Sequence, residues 1–331
     1  MARTRYATDR GLIARMGATM FLLGLVFTAF VIALFLVLRY YNRGGSSGSG
    51  AGIIFFVALI GIAVAIGSYY WSDKIALRTS GARLVGPDDS RDAARLHGVL
   101  DRLCALADMP KPRVAIAPTR MPNAFATGRN SKVAVLCATQ GLLDKLDDDE
   151  ELEGVLAHEL SHVAHKDVAV MTIASFLGIV AALLVRFAFY SELFGGGGRG
   201  RGGGRGGNNQ GGLPIMLVVL AVGVVVYAVS FLLIRLLSRY RELSADRSGA
   251  LLTGQPSALA SALVKVTGDI ARIPMKDLRK AEPLNAFYFT PALSGRTGQR
   301  SLSNVFSTHP SLEKRLAQLD KISKQLNSSA G

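Results

Sequence analysis

Four stretches of the chain are too long and too apolar to be left in water. Met16–Leu38 carries no charge, and a helix needs only about 20 apolar residues to cross the roughly 30 Å of bilayer hydrocarbon. Ala51–Trp71 is equally uncharged and ends on Tyr69, Tyr70 and Trp71, an aromatic anchor suited to the headgroup layer. Val168–Tyr190 holds Arg186 near one end, from which it can snorkel to water. Leu213–Leu237 completes the set. The apolar part of a cleaved secretory signal is usually about 7–15 residues. Met16–Leu38, which follows Arg3, Arg5, Arg10 and Arg15, therefore reads as a retained anchor.

The rest of the chain is not membrane. A 50% hydrophobic content and a mean hydropathy of +0.31 are too high for an ordinary soluble domain, and 19% charged residues are too many for a bundle wholly in lipid. Residues 1–71 read as a first membrane hairpin, with spans at about 16–38 and 51–71. Residues 168–237 read as a second, folded around a glycine- and arginine-rich loop at 195–212. Segments 72–167 and 238–331 are left as two parts of one soluble domain of ordinary size. Basic residues near span ends set orientation. They favour the N-terminus, Lys74, Arg78 and Arg83 after the second span, and Arg239, Arg241 and Arg247 after the fourth. Both termini and the soluble segments are thus expected in the cytoplasm of a multi-pass plasma-membrane (inner-membrane) protein.

The net charge of +14 suits an anionic cytoplasmic leaflet. The loop GGGGRGRGGGRGGNNQGG resembles an RNA-binding tract, but it is short, lacks aromatic residues and lies between spans. It reads as a solvated linker, so the bilayer is the expected partner and no nucleic acid is. Cys104 and Cys137 have no paired spacing and read as reduced structural thiols.

Within the soluble segments, Ser90–Ala107 has apolar residues at helical spacing, RVAIAPT and KVAVLCAT read as short strands, and NAFATGRNSKVAVLC reads as a hairpin turning near Asn130 and Ser131. PSALASALVKVTGDIAR and HPSLEKRLAQLDKISKQL read as helices, with Pro310 in the first turn of the latter.

The chemistry lies in LDDDEELEGVLAHELSHVAHKD, a helix with acidic residues at its start. His158 and His162 are one turn apart, so both imidazoles can meet one Zn²⁺. Glu159 lies beside that face and can take a proton from water without being a ligand. A catalytic zinc needs a third protein ligand. His165 lies about 10 Å along the axis from His158, too far down one straight helix. Glu242 and Asp246, at i and i+4 in SRYRELSADRSGALL, form the better candidate pair. His162 precedes the third span by about 9 Å of helix and Glu242 follows the fourth by about 7.5 Å. A hairpin of those spans would therefore deliver both at similar height. Asp246 would then accept the other ring N–H of a ligand histidine, or else pair with a nearby arginine.

MPNAFATG, GLLDKLDDDEELEGVLAHELSHVAHKD, SRYRELSADRSGALL and STHPSLEKRLAQL occur in this order with spans before and between. In this the chain resembles, over nearly its whole length, the HtpX-like integral membrane zinc metalloproteases, relatives of the CAAX-prenyl endopeptidases and mitochondrial Oma-type proteases. The resemblance implies a mainly α fold with a small β-sheet: four transmembrane helices and a cytoplasmic gluzincin-like zinc protease domain. It implies one Zn²⁺ per chain on His158, His162 and Glu242, with Glu159 as base. It also implies polypeptide substrates, chiefly misfolded or damaged membrane proteins, and so a part in quality control and stress response. In gluzincin-like proteases an edge strand above the zinc helix pairs with extended substrate. Asn123, Ala124, Phe125, Ala126 and Thr127 are the candidates for that strand, or form a merely structural hairpin. His309 is a candidate oxyanion donor, or only begins the last helix.

The expected activity is hydrolysis of peptide bonds by zinc-activated water. A membrane adaptor with a structural zinc site is the alternative; the glutamate of HExxH argues against it, because a structural site needs no base. An RNA-associated membrane protein is a third reading, opposed by the expected extracytoplasmic side of the arginine-glycine loop.

Overall fold

The structure, a computed structural model, describes residues 10–42, 49–167, 170–172, 174, 212–270 and 309–330. In chain order the elements are α1 (Arg10–Asn42), α2 (Ser49–Ser80), β1 (Arg83–Leu84), α3 (Arg91–Ala107), β2 (Arg113–Ala117), β3 (Ala124–Thr127), β4 (Val135–Thr139), α4 (Gln140–Leu143), α5 (Asp149–Ala164), α6 (Gly212–Thr253), α7 (Pro256–Ile270) and α8 (Leu312–Ala330). The protein is mostly helical with one small mixed sheet. Most of the expected third span, the glycine- and arginine-rich loop before Gly212 and the segment 271–308 lie outside the described residues.

Contacts divide the chain into two units. One comprises Gly17–Gly67 and Met171–Ile234. There α1, α2 and α6 are long single helices, and Phe21, Leu25, Val224 and Val225 are each at least 50% exposed. The Thr28 hydroxyl donates to the Gly24 carbonyl at 2.9 Å, satisfying a polar group within its own helix. Among the described residues, Ala221–Thr253 is the one stretch long and apolar enough to cross a membrane, and Ile13–Ala29 is a shorter apolar helix.

The other unit comprises Met1–Met16, Ser68–Val170 and Arg235–Gly331. Its sheet has the order β1-β2-β4-β3, with β2 parallel to β4 and the outer pairs antiparallel. β4 is central and buried throughout; β3 is an edge strand. The β3–β4 turn forms at Asn130, whose Oδ1 accepts from the amides of Lys132 and Val133. Gly128 there has φ +114°, and a Cβ on it would meet the Ala134 Cα at 2.8 Å, so this turn needs glycine. α3 starts on Ser90, whose side chain accepts from the Ala93 amide, and buries Ala93, Leu96, Val99, Leu100 and Leu103. These pack against α5, which itself packs on β3 and α7. α8 begins at Leu312, so Pro310 precedes that helix and is not in its first turn. Its missing N–H is harmless there.

Cys104 and Cys137 are free and buried. Burial pushes the Cys104 thiol up to about 11 and the Cys137 thiol up to about 12. At pH 8 both are therefore neutral thiols, and the thiolate is the reactive form. Iodoacetamide is expected to add to neither in the folded protein and to both in guanidinium, as read by intact mass.

Candidate metal centre

α5 is built to carry its chemistry in the dark. Asp148 caps it, its side chain accepting from the Glu150 amide at 2.9 Å, and Asp149, Glu150 and Glu151 in the first turn complement the helix dipole. Every residue from Glu151 to Ser161 is buried. The buried Glu151 carboxylate is satisfied by Ser261 and Lys265 of α7, at 2.6 and 2.7 Å. At its other end the helix closes on His165, and Lys166 takes a left-handed φ of 58°.

The imidazoles of His158 and His162 turn their Nε2 atoms towards each other, 3.3 Å apart. The last turns of α6 bring Glu242 to the same point, 3.7 Å from His158 Nε2 and 3.6 Å from His162 Nε2. Asp246, one turn further along α6, has Oδ1 at 2.9 Å from His158 Nδ1. His309 Nδ1 lies 3.2 Å from Glu242 Oε2. Asn123 precedes β3, its carbonyl accepting from the Thr139 amide at 2.9 Å, and Ala124, Phe125, Ala126 and Thr127 form the edge strand itself. That strand touches the site directly, because the Ala126 amide donates to Glu159 Oε2 at 3.0 Å. His165 ends α5 and stays outside the cluster; burial lowers its basicity.

Two residues escape the sequence reading. Arg315 of α8 is 1% exposed and donates through Nε and Nη2 to both oxygens of Asp246, at 2.7 and 2.6 Å. Its signal was legible: it stands three residues after Leu312 and four before Leu319, on the apolar stripe of that helix, where a charge needs a buried partner. Asp167 contacts His162 Nδ1 at 2.5 Å, five residues along the chain. A helix continued from His162 would carry that residue about 140° round the axis, so only the break at Lys166 could have revealed it.

The donor set fits a divalent cation. With a carboxylate on each Nδ1, each ring keeps its N–H there and turns an Nε2 lone pair inward. Two lone pairs and a carboxylate then face one another in a buried space, an arrangement that only shared positive charge reconciles. Glu242 Oε2 is buried and met by no group with hydrogen-bond geometry. Burial alone would lower the His158 basicity, but Asp246 and Glu242 outweigh it and lift it to about 9, so a proton on Nε2 competes with a cation for the same place. Burial also raises the Glu159 carboxyl above the usual range, against the lowering by both histidines. Among the described residues, His158, Glu159 and His162 offer ligand atoms within 4.8 Å of one another.

The two helices meet at Gly249. A Cβ there would lie 2.9 Å from the His158 amide nitrogen and 3.2 Å from the Ala157 carbonyl carbon, both backbone atoms that cannot swing aside. Gly249→Ala is therefore expected to wedge α6 from α5 and cost about 1–3 kcal/mol. A lowered melting temperature together with weakened metal affinity checks this; an unchanged melt would show that the helices can separate freely.

An HExxH helix faced by a buried glutamate from a second helix defines a metallopeptidase. The chain matches Peptidase family M48 over residues 90–323. Protease HtpX homolog 1 of Streptomyces coelicolor is 55% identical over 325 residues, covering 98% of this chain and 97% of its own. Protease HtpX homolog 2 of Methanosarcina mazei is 50% identical over 98% of this chain and 100% of its own. A crystal structure of S. mikatae Ste24p shares the fold with TM-score 0.50 at 16% identity, over 92% of this chain and 67% of that one. The chain belongs to peptidase family M48, with HtpX-type proteases among its relatives.

Proposed function

We propose that the protein is a membrane-embedded zinc endopeptidase that hydrolyses misfolded or damaged membrane proteins at the cytoplasmic face. The observation that carries this is the convergence of Glu242, 3.6 and 3.7 Å away, on the paired Nε2 atoms of His158 and His162. Those three side chains would hold the ion. When bound, zinc brings the pKa of a water to about 7 and polarises a carbonyl. Glu159, its carboxylate aimed by the Ala126 amide, takes a proton from the attacking water and hands it to the departing amine. Asp246 holds His158 in one tautomer. Extended substrate adds to Asn123 and the edge strand Ala124–Thr127 that follows it, a mode that tolerates many sequences because main-chain bonds do the binding. His309, beside Glu242, donates to the oxyanion.

Four spans, with both termini and the two parts of the protease domain (72–167 and 238–331) on the cytoplasmic side, are the topology that accompanies this reading. Two lines of support are the long helices α1, α2 and α6 and the basic residues at the span ends. The reading is tested by zinc content and casein cleavage of purified protein. Glu242→Ala is expected to lose both, since two imidazoles alone make a poor zinc site. A variant that kept stoichiometric zinc and full activity would remove Glu242 from the ligand set.

A further inference from the structure

Each imidazole of the site has its own carboxylate, and each carboxylate its own arginine. His158 Nδ1 meets Asp246, which Arg315 grips through two donors. His162 Nδ1 meets Asp167 at 2.5 Å, and Asp167 Oδ2 lies 3.0 Å from Arg241 Nε. Asp167 and Arg241 of the second set have no part in the function proposed above. Asp167 is nonetheless buried, at 2% exposed, and the Arg241 side chain is partly buried, at 13%. Taking a carboxylate out of water is costly unless it is paired. Here the pairing draws on three separate places: the end of α5, the reversal after it, and α6.

The local backbone explains how Asp167 arrives. The His165 amide bonds the Ser161 carbonyl and the Lys166 amide the Val163 carbonyl, closing the last turn of α5. Lys166 then adopts φ 58°, a left-handed conformation unusual for a side-chain-bearing residue. That turn sends Asp167 back onto the ring of His162. On α6, Arg241 immediately precedes Glu242, so successive residues of one helix address the carboxylate behind a histidine and the point in front of it.

We propose that Asp167 is a positioning residue for His162. It accepts the Nδ1–H, which fixes the tautomer and turns the Nε2 lone pair to the point shared with Glu242. Through Arg241 it ties the end of α5 to α6, so the two halves of the metal site keep their spacing. The proposal rests on the zinc reading of that site.

The experiment measures zinc affinity by competition with a chromophoric chelator, and the melting temperature of metal-stripped protein. Full-length wild type, Asp167→Ala, Asp167→Asn and Glu242→Ala are compared. Asp167→Ala is expected to weaken zinc about 10–100-fold, the usual effect of removing a carboxylate behind a ligand histidine. Asp167→Asn keeps the shape and one acceptor oxygen but loses the charge. It should weaken zinc by a smaller factor while its metal-free melt stays near wild type. A merely structural role would instead lower the metal-free melt and leave zinc affinity alone. Zinc binding within about twofold of wild type in Asp167→Asn, and in Asp167→Ala if it melts cooperatively, overturns the proposal. Where the alanine variant does not fold, the asparagine variant decides. Wild type that binds no zinc, or Glu242→Ala that binds it as wild type does, overturns the underlying reading and this inference with it. Zinc lost in Glu242→Ala but held normally in both Asp167 variants overturns this inference alone.

Discussion

Glu159→Gln is expected to keep its zinc and lose casein cleavage by about 10³-fold, within the roughly 10²–10⁴ that a positioned acid–base group contributes. Glutamine preserves the volume of the side chain, and an amide oxygen can still accept from the Ala126 amide that now meets the carboxylate at 3.0 Å. What it cannot do is take a proton. The position is suited to that task because it is fully enclosed: Glu159 is 4% exposed, and burial raises its carboxyl above the usual range. A raised carboxyl holds a proton more readily than a free one, which suits a group that must take a proton and later return it. The check is paired: zinc per chain by mass spectrometry and turnover of unfolded casein. Turnover near wild type would strike Glu159 from the mechanism. Zinc loss alongside turnover loss would make it a ligand instead of a base.

The largest expected effect on stability comes from a residue that touches neither substrate nor the point where the lone pairs meet. Arg315→Met should destabilise the protein by about 3–5 kcal/mol, because it strands a buried carboxylate. Asp246 has no solvent exposure, and both its oxygens are held by the guanidinium of Arg315. Arg315→Lys should recover only part of the loss, since an ammonium cannot bond both oxygens in the planar fork geometry. Pairing Arg315→Met with Asp246→Leu removes both charges and should return much of the stability, while zinc affinity stays low because His158 Nδ1 has lost its acceptor. Thermal melts of the metal-free single and double variants check this. A single variant as stable as wild type would show that water reaches Asp246.

Most helices and strands around the candidate metal centre were readable locally; the two-residue β1 and the one-turn α4 were not. Ser90 caps α3 and Asp148 caps α5 because their side chains accept from free first-turn amides, an interaction that needs only neighbours in sequence. The β3–β4 hairpin follows from Asn130 and Gly128 in the same way. HExxH likewise placed two imidazoles and a carboxylate on one helix without any tertiary information, since 3.6 residues per turn is a property of the backbone.

What lay beyond local reading were the partners of those groups. Which carboxylate stands behind which histidine depends on a left-handed residue at Lys166 and on how closely α6 approaches α5 at Gly249. Arg315, 157 residues from His158, reaches the site only because α8 packs on α7 and carries its one buried cation inward. The amino-acid sequence by itself determined where chemistry could occur and which element would carry it, because periodicity and capping act over a few residues. The tertiary structure alone decided the charge balance of the site. Burial turns ordinary surface ions into obligatory pairs, and only packing brings distant ions within reach of one another.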